Sequence, residues 1–174
     1  MCSDSAHKTL PVLTGGAYLH ISHSAPKDFA ESAESAMSLF ASTSPSYLIL
    51  QSLDAVNPYL QDHFAHALAD HIRQLNSVKQ ALEKGGWQVV GEEPMKLTLA
   101  TKSYGYRGEE LAALLRKANM EAEFADPDYL VLMPSPQNEP GALQTLKEFL
   151  LHLPPKTPIA EKMPPMGIPE QALS

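Results

Sequence analysis

The chain has 174 residues and a mass of 19.0 kDa, with 44% apolar and 19% charged residues, which suits a folded domain with a real core and excludes a disordered chain. A formal net charge of −7 and a pI near 5.4 argue against non-specific binding to nucleic acid or to an anionic membrane. Cys2 is the single cysteine, so an internal disulfide framework and a cysteine-based zinc finger are excluded, and a reduced, cytoplasmic setting fits. No apolar run is long enough for a transmembrane helix, and residues 1–25 are broken by Pro11, Gly15 and Gly16 and do not read as a signal peptide.

The elements follow in chain order. Gly15-Gly16 is a turn signal, and residues 17–22 predict a buried strand behind it. Residues 30–41, rich in Ala, Glu, Ser, Met and Leu, predict a helix that stops before Pro45. Residues 46–84 read as mostly helical. Leu48, Ile49, Leu53 and Val56 recur at helical spacing, and Pro58 is expected to kink or divide the helix. A second helix is expected over residues 61–84, with Phe64, Leu68, Ile72, Leu75, Val78 and Leu82 on one face and Gly85-Gly86 ending it.

The remainder alternates. Strands are predicted at residues 87–90, 95–101, 121–125 and 129–133, the last a continuous apolar run and so central, with helices at 108–118 and 141–152. The order β-β-α-β-β-α predicts an α+β arrangement with helices on one face of a small sheet. Beyond Leu153 the composition changes: Pro154, Pro155, Pro158, Pro164, Pro165 and Pro169 allow no packed element, so residues 154–174 read as an extended tail or linker.

Several residues carry possible chemistry. Lys8 precedes a glycine-rich turn into a strand, and a lysine amine whose surroundings lower its pKa forms a Schiff base with a carbonyl. Ser5 and His7 beside it can hydrogen-bond an anionic group such as a phosphate, although a His-Lys pair near a terminus also reads as two solvated side chains. His63, His66 and His71 read as surface histidines, because no carboxylate completes a zinc-binding helix motif, and no metal is expected. His20 and His23 read as structural or exposed. Arg107, in a turn of two glycines and two tyrosines, is a candidate to bind a substrate carboxylate.

Ser5-Ala6-His7-Lys8-Thr9-Leu10-Pro11-Val12-Leu13-Thr14-Gly15-Gly16-Ala17-Tyr18-Leu19-His20 resembles the cofactor-lysine segment of the Orn/Lys/Arg decarboxylase family. Further segments are similar in order and spacing: Ser42-Thr43-Ser44-Pro45-Ser46-Tyr47, then Lys96-Leu97-Thr98-Leu99 with Gly105-Tyr106-Arg107-Gly108, then Glu121-Ala122-Glu123-Phe124-Ala125-Asp126 with Tyr129-Leu130-Val131-Leu132. Together they cover residues 5–150. The family consists of pyridoxal-phosphate enzymes of fold type I, with the aspartate-aminotransferase-like fold. The resemblance implies that Lys8 holds pyridoxal 5′-phosphate and can return a proton, and that Ser5 and His7 contact its phosphate or ring. It places Thr43 and Ser44 in a segment that reaches the active site of a second copy, and so implies a homodimer or higher homo-oligomer.

The same resemblance implies an α/β fold ending in a small α+β domain: residues 1–60 as the end of the large cofactor domain, residues 61–153 as a small mixed sheet covered by helices, and residues 154–174 as a linker. The family's phosphate-binding turn and the aspartate that pairs with the pyridine nitrogen precede the lysine, where this chain has only seven residues. The chain is therefore expected to be an internal piece of a longer enzyme, inactive alone, from a decarboxylase of lysine, ornithine or arginine. The lost neighbours of strand 17–22 would leave it exposed or swapped between copies. The alternatives are a non-catalytic dimerising or binding remnant, or one half of a split or related fold-type-I aminotransferase or lyase.

Overall fold

The computed structural model describes residues 1–40, 42 and 44–160. They divide into two units, Met1–Asp70 with Ser135–Gln137, and His71–Pro134 with the described residues from Asn138 onward.

The first unit opens with a ribbon. Strand β1 (Cys2–Ser5) pairs antiparallel with β2 (Ala17–His20), with Cys2 opposite His20 and Ser5 opposite Ala17. Strand β1 carries no apolar alternation that would announce it; it exists because β2 offers it a ladder. This corrects two expectations. Strand β2 has a neighbour, and it is exposed along most of its length, as the loss of a large sheet implies and not buried as its apolar residues predict, with only Tyr18 half-covered. A two-stranded ribbon has little of its own to bury. It is sewn instead to a helix: the Tyr18 hydroxyl donates to the Leu53 carbonyl at 2.9 Å, and the Leu13 amide to Ser52 Oγ at 3.1 Å. Gly16 lies so close to Leu53 that a β-carbon there would sit 3.0 Å from Leu53 Cδ2.

Helix α1 (Lys27–Phe40) starts three residues earlier than its composition predicts, just after Pro26, whose carbonyl accepts the Phe29 amide at 3.0 Å. None of its residues is buried. Helix α2 (Tyr47–Tyr59) keeps Pro58 inside its last turn, and a π-helical turn (Leu60–Phe64) leads into α3 (Ala65–Lys84). Pro58 has no amide to donate and its ring crowds the preceding turn, and the wider turn follows at once. Along α2 the apolar spacing turns Ile49, Leu53 and Val56 inward, whereas Leu48 stays exposed.

The second unit is built on a four-stranded sheet in the order β3-β4-β6-β5 (β3 Val89–Val90, β4 Leu97–Ala100, β5 Phe124–Ala125, β6 Tyr129–Leu132). Every pairing is antiparallel, where a mixed sheet was expected. Helices α4 (Gly108–Lys117) and α5 (Ala142–His152) complete the predicted order. Strand β6 is internal, as expected, but it buries one face rather than two: Leu130 and Leu132 point inward while Tyr129 is exposed. They meet Leu97 and Leu99 of β4, Leu111 and Leu115 of α4, Leu146 and Leu150 of α5, and Leu75 and Leu82 of α3 in one apolar cluster.

His71 is buried, not a surface histidine. It lies on the α3 face that carries Leu75, Val78 and Leu82, and its Nε2 donates to the Pro134 carbonyl at 3.0 Å. Burial holds the imidazole below its ordinary value near 6.5, the hydrogen bond opposing that shift only in part. The unfolded chain takes up this proton as pH falls through the ordinary value, whereas the folded unit resists it until lower pH. The contribution of His71 to stability is therefore complete above about 6.5 and is lost as pH falls from there toward the folded value. Urea unfolding between neutral and mildly acidic pH should show this decline, and His71→Gln should flatten it.

Candidate functional site

Ser5 ends β1, and the chain then turns sharply through a 3₁₀ turn, Ala6–Lys8. Three backbone hydrogen bonds hold the turn. The Ala6 amide donates to the Gly16 carbonyl at 3.1 Å, and the amides of Thr9 and Leu10 converge on the Ala6 carbonyl at 3.2 and 2.8 Å. Ala6 is buried, so the turn is anchored from beneath, while Lys8 projects from the exposed side and His7 is half-buried. Gly15, at φ +101°, provides the left-handed bend that returns the chain to β2.

Ser5 at the end of β1 and His7 and Lys8 in the turn are thus close along the chain, with Ser5 Oγ and His7 Nδ1 3.2 Å apart. A primary amine beside a hydroxyl and an imidazole can hold a molecule that carries both an aldehyde and a phosphate: the amine suits the aldehyde carbon, the other two suit the anion. These residues fit pyridoxal phosphate in donor chemistry. Asp4 is engaged elsewhere, its Oδ2 lying 3.0 Å from Nε2 of His20 across the ribbon. That cross-strand pair was not anticipated, because only the existence of β1 puts Asp4 and His20 on the same face.

The other candidates are placed as follows. Ser44 lies in a bend ahead of α2, and its amide donates to Ser42 Oγ at 3.1 Å. Thr43 lies outside the described residues. Arg107 belongs to the second unit, at the N-cap of α4 in extended conformation. His63 sits in the π-helical turn with its ring 6.5 Å from that of Tyr59, and His66 faces Asp70 one turn along at 3.5 Å. An apolar cleft of about 440 Å³ runs between Met1, Leu19, Phe29, Ala33 and Met37, and none of Ser5, His7 and Lys8 lines it.

The family model described as the Orn/Lys/Arg decarboxylase major domain matches residues 1–145, and the chain belongs to that family. It is also similar to the uncharacterized protein YaaO of Bacillus subtilis (strain 168), with 33% identity over 138 residues. That match covers 74% of this chain and 28% of YaaO, so the chain spans little more than a quarter of that relative's length. Among the described residues no helix is long and apolar enough to cross a membrane.

Proposed function

We propose that this chain carries the cofactor-lysine segment of a pyridoxal-phosphate-dependent decarboxylase of a basic amino acid. The substrate would be lysine, ornithine or arginine, which takes up one proton as its carboxylate leaves as CO₂ and becomes the corresponding amine. The observation that carries this reading is the Ala6–Lys8 turn, where Lys8 stands beside the Ser5–His7 pair in a chain of this family. Lys8 would hold the cofactor through its amine, with the Ser5 hydroxyl and the His7 imidazole on the phosphate. Pyridoxal phosphate, when bound, supplies the electron sink for breaking the bond to the carboxylate. Lys8 Nζ would carry the proton delivered to the carbon that lost its carboxylate, and the hydrogen-bonded turn fixes the backbone from which Lys8 and His7 project.

In this reading the enzyme is cytoplasmic and homo-oligomeric, with Thr43 and Ser44 in the segment that reaches a second copy. A second reading, a binding or dimerising module without catalysis, is favoured by one feature. Leu39, Phe40, Tyr47 and Leu48 of the first unit are all more than two-thirds exposed. A stable homodimer that ignores pyridoxal phosphate would favour it.

The test is retention of pyridoxal phosphate through ultrafiltration. The parent chain is expected to retain it and Lys8→Ala to lose it. His7→Ala is expected to weaken retention about tenfold, the value of one hydrogen bond to a charged group. Retention by Lys8→Ala equal to that of the parent would refute the proposal.

A further inference from the structure

The proline-rich stretch after α5 lies against the second unit in an ordered way. Leu153 has φ −68° and ψ 129°, close to a polyproline II conformation, and Pro154, Pro155 and Pro158 restrict their own φ to the same region. Two tyrosines, Tyr104 and Tyr106, reach it, and Trp87 backs them. Trp87 and Tyr104 stack with centroids 3.9 Å apart and planes 17° apart, and Tyr106 lies beside this pair, 6.3 Å from Trp87 and 6.4 Å from Tyr104 with its plane within 26° of both.

The contacts come at successive positions. The Tyr104 hydroxyl donates to the Leu153 carbonyl at 3.3 Å, and the Tyr106 hydroxyl to the Pro154 carbonyl at 2.8 Å. The Lys156 amide donates back to the Tyr104 carbonyl at 3.1 Å, and the Ile159 amide to the Lys102 carbonyl at 3.0 Å. The Lys156 ammonium lies 3.9 Å from the Tyr106 ring centroid and 2.6 Å from Glu110 Oε1. Gly105, at φ +88°, leaves room for this approach: a β-carbon there would stand 2.6 Å from the Lys156 carbonyl carbon.

We propose that Tyr104, backed by the Trp87 ring, Tyr106 and Glu110 form a recognition groove for an extended, proline-rich, lysine-bearing segment, and that its occupant is this chain's own residues 153–159. A spacer needs none of these contacts. Hydroxyls aimed at the carbonyls of a proline-rich strand, over stacked aromatic rings, are how grooves recognise polyproline segments. The acid that pairs with the lysine, and the ring beneath its charge, add a choice of side chain that a passive cover would not need. The tether gives the segment a local concentration in the millimolar range, so a free competitor must match that to displace it.

A charge-reversal cycle in the full chain tests this, read by hydrogen exchange at the amides of Lys156 and Ile159. The parent should protect both. Glu110→Lys should raise their exchange about fivefold, as loss of an exposed ion pair and its replacement by repulsion imply. Glu110→Lys with Lys156→Glu should restore it, while the β4 and β6 amides stay unchanged throughout. Tyr106→Phe, which keeps the ring, should also raise exchange at Lys156. Three results would overturn the proposal: amides at 156 and 159 exchanging as in a free peptide in the parent, no recovery in the double variant, or protection recovered only by mixing the two single variants, which would put the occupant on a second copy.

Discussion

Gly108→Ala is expected to destabilise the second unit by about 3 kcal/mol, the upper part of the range for overpacking a tight site. Gly108 is buried at the start of α4, and a β-carbon there would run into the carbonyl oxygens of Asp126 and Tyr129. Both are backbone atoms. Asp126 and Tyr129 are held by the turn between β5 and β6, where the Asp126 amide donates to the Tyr129 carbonyl at 3.0 Å and Asp126 Oδ1 accepts the amides of Asp128 and Tyr129 at 2.8 and 2.7 Å. A rotamer change cannot relieve such a clash; the helix must move off the sheet. That movement opens the contacts of Leu111 and Leu115, both fully buried. Urea denaturation of the variant should show a lower midpoint with an unchanged slope. A midpoint equal to that of the parent would mean that α4 does not sit this close to the turn.

Trp87→Ala is expected to cost 3–5 kcal/mol, the usual range for deleting a large buried aromatic side chain. Trp87 is 2% exposed, lies on Tyr104, and donates its Nε1 proton to the Leu150 carbonyl at 3.2 Å. The substitution removes the volume, the stacking and a donor to a buried carbonyl together. Trp87→Phe separates these contributions: it keeps an aromatic ring and takes the indole donor from the Leu150 carbonyl, for a loss of about 2 kcal/mol. Equal losses in the two variants would show that the hydrogen bond, not the packing, dominates.

Much of this architecture could be read from local pattern. The second unit was accessible because Leu97 and Leu99 alternate along a strand, Leu111 and Leu115 repeat along a helix, and glycines mark the turns. Where expectation failed, the cause was tertiary. Cys2–Ser5 has nothing strand-like in it and becomes a strand only by pairing with β2. The absence of a zinc-binding motif makes His71 look like a surface histidine, although its spacing from Leu75, Val78 and Leu82 places it on the buried face. The residues beyond α5 were read from proline content, which describes local backbone preference and says nothing of the tyrosines waiting some fifty positions earlier. The candidate site shows the same division. Ser5, His7 and Lys8 stand out as a short motif, but the three hydrogen bonds that shape their turn depend on Gly16 and on backbone geometry that no motif specifies.

Reductive trapping tests whether Lys8 is the lysine that holds the cofactor. The chain is mixed with pyridoxal phosphate, reduced with borohydride, digested and mapped by mass spectrometry. One dominant pyridoxyl adduct is expected, on the peptide containing Lys8, and it should disappear in Lys8→Ala. Adducts spread over the exposed lysines, with Lys8 no more modified than the others, would contradict it.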